Sequence, residues 1–232
     1  MWYEELGFRK NPLKISPFKN ELVDVGGLID KLNNLVVEGA LCTITGDYGS
    51  GKTTLLASVI KRFMGKRKVI YYSCNRKESS LRIDELLYGR TWFSRLFKLK
   101  SKNIILLLDE INGLNIKEQK KILFYLNNGY LKSLVFVAKS KSDLKLNNEL
   151  KLLSENNDFR LANLKPLQAV RIIRRRMNNP KFISNAMIKR IHKINPNPRT
   201  FLQNCEDVCR YAIENGSRKV NGKHVEILKE FV

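Results

Sequence analysis

The stretch TITGDYGSGKTTLL, Thr43 to Leu56, decides the fold. Gly46 to Thr53 satisfy the pattern G-x-x-x-x-G-K-S/T at every fixed position. A short apolar strand, ALCTIT, is predicted just before it, and TTLLASVIKRFM reads as a helix just after. In that strand, loop and helix context the glycines let backbone N–H groups turn inward around phosphates. The N-terminus of the following helix adds its dipole to the same anion. The candidate nucleotide-binding residues are therefore Gly46, Asp47, Tyr48, Gly49, Ser50, Gly51, Lys52, Thr53 and Thr54. Lys52 is expected to reach the β- and γ-phosphates, and Thr53 to place its hydroxyl on Mg2+.

NIILLLDE, Asn103 to Glu110, supplies the second half of such a site. Its apolar run predicts a buried strand that leaves Asp109 and Glu110 at the carboxyl end, where open α/β sheets place their ligands. Asp109 is the expected Mg2+ residue and Glu110 the residue that orients or activates an attacking water. A carboxylate pair there suits hydrolysis better than phosphoryl transfer by a small-molecule kinase, which must exclude water.

The rest of the chain extends this pattern. GGLIDKLNNLVVEG (26–39) has helical spacing closed by Gly39. KVIYYSC (68–74), SLVFVAKS (133–140) and FRLANL (159–164) read as strands. Residues 79–100, IKEQKKILFYLNN (116–128) and DLKLNNELKLLSE (143–155), the last capped by Asp143, read as helices. Short buried strands alternating with helices predict an α/β fold, a P-loop core with a parallel, doubly wound sheet. After Pro166 the strands stop, and four helical segments follow: LQAVRIIRRRM, SNAMIKRIHKI, PRTFLQNCEDVCRYAIENG and NGKHVEILKEFV. The expected division is an α/β nucleotide-binding domain over 1–166, with residues 1–20 as an extended arm, and a small all-α lid domain over 167–232.

Charge bears on partners. The 232 residues carry 43 Lys and Arg against 22 Asp and Glu, a formal net charge of +21. Residues 61–103 hold 13 basic against 3 acidic side chains, and residues 161–232 hold 15 against 5. Such an excess points to a polyanion, and beside a phosphate-binding loop to nucleic acid. Arg76, Lys77, Arg82, Arg90, Arg95 and Lys98 are the candidates for DNA backbone contact, while the interleaved Trp92, Phe93 and Phe97 sit at core spacing. Arg174, Arg175 and Arg176 form a dense basic turn whose side chains cannot all face one way. Cys42, Cys74, Cys205 and Cys209 form no C-x-x-C pair and read as reduced, mostly buried thiols. The N-terminus lacks the apolar run of a signal peptide, and no stretch approaches the roughly 20 apolar residues of a membrane span. A cytoplasmic location is expected.

The P-loop, the LLLDE strand, the strand LVFVAKS and the turn NPNPRT, in that order, resemble the AAA+ ATPases. The segments LGFRKNPLKISPF and ELVDVGGLIDKL resemble those that wrap adenine in the subgroup of replication initiators (archaeal origin-recognition-like), helicase loaders and transposition-regulator ATPases. The resemblance implies that Arg199, in INPNPRTFLQ, is the lid arginine called sensor 2, which reaches the nucleotide phosphates. It implies a sensor 1 residue at the end of the fourth strand, where Ser140 or Lys139 stands. It implies an arginine finger offered to a neighbouring subunit, for which Arg160 is the candidate and Lys145 and Lys151 are substitutes. It further implies adenine contacts near Leu22 and Val23. The winged helix that full-length initiators carry is not expected within these residues.

The expected function is an ATP-dependent DNA-binding ATPase, slow and stimulated by DNA, with ATP and Mg2+ as cofactors. It would form a homo-oligomeric ring or filament on DNA, in replication initiation or helicase loading, with a helicase or transposase as possible protein partner. A transposition-regulator ATPase, a protein-remodelling or signalling ATPase indifferent to DNA, and a non-hydrolysing nucleotide-dependent binding module are the alternatives.

Overall fold

The computed structural model describes residues 1–16, 26–65, 67–74, 81, 83–87, 101–112, 114–179 and 181–229. The chain forms two compact units, one of Val25–Tyr48 and Lys52–Leu161, the other of Met1–Asp24, Gly49–Gly51 and Ala162–Val232.

The first unit is a parallel sheet covered by helices on both faces. Its elements are α1 (Gly26–Glu38), β1 (Leu41–Gly46), α2 (Lys52–Phe63), β2 (Val69–Ser73), α3 (Ile83–Leu87), β3 (Ile104–Asp109), α4 (Ile116–Asn127), β4 (Leu131–Ala138), α5 (Lys141–Leu144), α6 (Asn148–Ser154) and β5 (Asp158–Leu161). The five strands run in the order β2-β3-β4-β1-β5, every pair parallel. β1 and β3 are buried at every position, so β3 reads as an unbroken apolar run up to Asp109, while β1 buries Thr43 and Thr45 beside its apolar residues. Side chains still alternate in direction. Leu106, Leu108, Leu134 and Phe136 pack with Ile122 and Leu123 of α4 on one face. Ile44, Ile105, Leu107, Val135 and Val137 are equally buried by the alternation on the other, as are Leu32 and Val36 of α1 and Leu55, Leu56 and Val59 of α2.

One helix predicted after β4 is two. Lys145 takes a left-handed conformation, φ 45°, and ends α5. Ser140, not Asp143, is the N-cap, with Asp143 closing a capping box onto it. Asn147 then caps α6 by accepting from Leu150 N at 2.9 Å. The buried Gln119 pins the loop between them: its amide nitrogen donates to Leu114 O and Lys145 O, and its oxygen accepts from Asn147 N. β5 is also shorter and earlier than the predicted 159–164, because it pairs only with β1, from Thr43 to Gly46. Within the helix predicted over 79–100, residues 83–87 are helical, and most of the remainder lies outside the described residues.

The second unit holds α7 (Pro166–Arg176), α8 (Asn185–Ile194), α9 (Pro198–Glu214) and α10 (Gly222–Glu226), then a 3-10 turn over Ile227–Lys229. Pro166 and Pro198 each stand in a first helical turn, where a missing N–H costs nothing. Ser184, Asn197 and Asn221 cap α8, α9 and α10. The core joins Ile172 and Ile173, Ile188 and Ile191, and Phe201, Val208 and Ala212. Cys205 and Cys209 lie one helical turn apart inside it, and burial pushes the Cys209 thiol up to about 12.

The N-terminal residues differ from expectation twice. Residues 2–7 are turns, closed by Glu4 N donating to Met1 O and Gly7 N to Glu4 O, both at 2.9 Å. They also pack with the helical unit: Trp2 and Leu13 belong to its core, and Asn11 donates to Glu206 at 2.8 Å. Two apolar side chains with a burial site outweigh the absence of periodicity that suggested an extended arm. Among the described residues, no helix is long and apolar enough to cross a membrane.

Leu106→Ala, at a position with no exposure in the centre of the sheet, is expected to cost about 2–5 kcal/mol. Phe124→Ala, at an exposed site on α4, is expected to stay within about 0.5 kcal/mol. Urea unfolding followed by circular dichroism compares the two.

Candidate functional site

β1 delivers the chain to the phosphate-binding loop, and α2 leaves it at Lys52. β4 lies between β1 and β3, and the backbone ties the strand ends together: Gly46 N donates to Lys139 O at 3.1 Å, and Ile111 N to Val137 O at 2.9 Å. Lys52 Nζ donates to Gly46 O at 2.6 Å and to Asp47 O at 2.8 Å, so the ammonium closes on the carbonyls of its own loop. Burial lowers its pKa from the ordinary lysine value, against the opposing pull of Asp109, Asp47 and Glu110.

Asp109, 1% exposed at the end of β3, is the centre of the arrangement. Its Oδ2 accepts from Thr53 Oγ1 at 2.9 Å and from Tyr71 Oη at 3.0 Å, and its Oδ1 accepts from Glu110 N at 2.9 Å. A carboxylate this buried is tolerable only with such a donor set. Glu110 is exposed, adopts a left-handed conformation (φ 55°), and accepts from Ser73 Oγ at 2.9 Å. Thus Lys52, Thr53, Asp109 and Glu110, chosen from two distant stretches of sequence, come together.

Tyr71 and Ser73 were not anticipated. They alternate on one face of β2, where KVIYYSC shows only an apolar strand with polar tips. The signal available was two hydroxyls at i and i+2 on a strand that neighbours the acidic one. Burial and the Asp109 charge push the Tyr71 phenol's pKa up, which keeps it a donor.

Ser140 is engaged as the α5 cap, and its Oγ lies 2.7 Å from Ser142 Oγ. Arg160 is exposed within β5, opposite Thr45. Lys145 ends α5, and Lys151 is exposed on α6. Thr54 is half-buried in the first turn of α2. Leu22, Val23, Arg76, Lys77, Arg82, Arg90, Arg95 and Lys98 lie outside the described residues.

In the second unit, Gly49 meets the start of α9. A Cβ built there would fall 2.6 Å from Asn197 Oδ1 and 2.7 Å from Arg199 Cβ, and its φ of +81° disfavours any side chain. Asn197 Oδ1 is committed as the α9 cap, accepting from Arg199 N at 3.0 Å. Ser50 Oγ, in the same short stretch, is buried and has no hydrogen-bond partner among the described residues. Arg199 is exposed in the first turn of α9. The basic turn separates by role: Arg174 clamps α8 through Asn185 Oδ1 and Ile183 O, Arg176 reaches Lys14 O, and Arg175 is exposed.

The sequence profile of the family described as AAA domain matches residues 38–169, more than half of the chain, and the chain belongs to that family. No curated protein matches the sequence. Among solved structures, Cdc6p from Pyrobaculum aerophilum is similar at a TM-score of 0.74 and 15% identity, over 95% of this chain and 70% of that one. The Aeropyrum pernix Orc1 protein, solved in complex with DNA, gives 0.72 and 17%, over 94% and 68%. A Thermotoga maritima RuvB mutant gives 0.70 and 16%, over 91% and 71%. At these identities the likeness is one of fold.

Gly49→Ala is expected to destabilise far more than Gly129→Ala. Both positions have positive φ, but nothing lies within 4 Å of a Cβ at Gly129. The control carries only the left-handed strain of about 1–2 kcal/mol, whereas Gly49→Ala must also displace the α9 cap. Thermal unfolding of the two variants gives the comparison.

Proposed function

We propose that this AAA-domain protein binds and hydrolyses ATP with Mg2+ and assembles with copies of itself on DNA, in replication initiation or helicase loading. The observation that carries the nucleotide half is the 2.9 Å hydrogen bond from Thr53 to Asp109, which joins the phosphate-binding loop to the acidic strand end. The residues fit the ion: a hydroxyl and a buried carboxylate with a lone pair beyond its three hydrogen bonds from described residues are hard oxygen donors of the kind Mg2+ takes. Thr53 and Asp109 would hold it. When bound, Mg2+ neutralises phosphate charge.

The loop suits a polyphosphate. Lys52 exchanges its two carbonyl contacts for phosphate oxygens, and the unpartnered Ser50 hydroxyl has hydrogen-bonding capacity to offer. Glu110 orients the attacking water and accepts its proton. Arg199 serves the phosphates as sensor 2, Ser140 or Lys139 acts as sensor 1, and Arg160 is offered to the neighbouring copy's nucleotide. The DNA half is supported by the +21 charge and by the fold shared with a protein solved on DNA. Its contacts fall to the basic residues of 61–103. A transposition-regulator ATPase would use the same machinery with a different partner.

ATP turnover with and without DNA, at low and moderate salt, tests the reading. Glu110→Gln is expected to bind ATP but lose turnover by at least about 100-fold, and Lys52→Ala to lose nucleotide binding. DNA is expected to stimulate turnover, and the stimulation to fade as salt rises. Turnover indifferent to DNA would replace the DNA half with a protein-directed ATPase. Normal ATP binding by Lys52→Ala would overturn the site.

A further inference from the structure

We propose that Tyr71 is a positioning residue for Mg2+ binding: its hydroxyl holds the Asp109 carboxylate in the orientation that, with Thr53, receives the ion. The inference rests on the proposed nucleotide site and adds a residue from a strand that carries no part of the phosphate-binding loop.

The register of β2 on β3 places Tyr71 opposite Leu107 and Ser73 opposite Asp109. From there the long phenol reaches two residues along the neighbouring strand to Asp109 Oδ2, whereas the short Ser73 side chain takes Glu110. Tyr71 and Ser73 thus divide the two carboxylates between them. Asp109 Oδ2 receives donors from both sides, Thr53 at 2.9 Å from α2 and Tyr71 at 3.0 Å from β2. Thr53 Oγ1 has lone pairs to give a metal while its O–H donates to Asp109 Oδ2. With Thr53 so engaged, Tyr71 is the side-chain donor that keeps Oδ2 from rotating, and Glu110 N–H fixes Oδ1. Without the phenol, Asp109 Oδ2 keeps only the Thr53 donor among the described residues. Partners that orient a metal ligand in this way typically change metal affinity by about 10–100-fold when removed.

The test is the Mg2+ dependence of fluorescent ADP binding, with binding in EDTA and thermal unfolding measured alongside. Tyr71→Phe removes the hydroxyl and keeps the ring. It is expected to raise the half-saturating Mg2+ concentration about ten-fold, with binding in EDTA at the wild-type level. Ser73→Ala is expected to leave the Mg2+ dependence unchanged, since its hydroxyl serves Glu110. Asp109→Asn is the reference that should abolish the dependence. A wild-type Mg2+ response in Tyr71→Phe, beside a lost response in Asp109→Asn, overturns the role of Tyr71 and leaves the site reading intact. An equal shift in Ser73→Ala also overturns it, because the effect would then belong to β2 as a whole. A wild-type response in Asp109→Asn overturns the site reading together with the inference.

Discussion

A carboxylate that is 1% exposed must have its oxygens met by hydrogen-bond donors, and this constraint at Asp109 organises the α/β unit. The three hydrogen bonds it accepts from described residues come from three places: the first turn of α2, the middle of β2, and the backbone just past β3. Each requires a strand or helix to arrive at a fixed depth. β2 must pair with β3 in a register that sets Tyr71 two residues behind Asp109. α2 must begin beside the end of β3, although β1, which feeds it, is separated from β3 by β4. The parallel order β2-β3-β4-β1-β5 meets both demands and brings the strand ends, with their loops, to one edge of the sheet.

The cations and anions there are coupled as well. Lys52 sits among carboxylates that favour its charge and under burial that disfavours it, and burial prevails in the net direction of its pKa. The ammonium meets that cost with two backbone carbonyls of its own loop. In the proposed reading a polyphosphate offers charged oxygens in place of those neutral ones. The loop residues that fold over to satisfy Lys52 are then the ones released to bind.

The fold was legible because its strongest signals are local. A glycine-rich loop between strand and helix, and an apolar run ending in two acids, each depend on neighbours in sequence, and both landed where the residues predicted. What escaped notice depends on neighbours in space. Tyr71 and Ser73 look like ordinary strand residues until β3 is laid beside them. The break between α5 and α6 is held by Gln119, which lies more than 20 residues earlier, so periodicity over 143–155 carried no trace of it. Trp2 and Leu13 have no helical period, yet a core that only the C-terminal helices build can take them in. Asn147 likewise lies inside the single helix expected over 143–155, yet it caps α6, and Asn197 caps α9 at the residue before the predicted PRTFLQN start.

The two carboxylates pose one last geometric problem. Successive side chains on a strand point to opposite faces, so a straight β3 that buries Asp109 towards Thr53 would send Glu110 through the sheet. The chain avoids this by ending the strand at Asp109 and turning Glu110 left-handed, φ 55°, a conformation that costs a residue other than glycine about 1 kcal/mol or more. Three contacts hold the turn: Glu110 N to Asp109 Oδ1, Ser73 Oγ to Glu110 Oε2, and Ile111 N to Val137 O on β4. Glu110 is thereby exposed beside a buried Asp109, one acid fixed among donors and the next open to solvent. In the proposed reading, backbone strain kept at Glu110 and tied to both flanking strands sets one acid to hold the ion and the next to meet the attacking water.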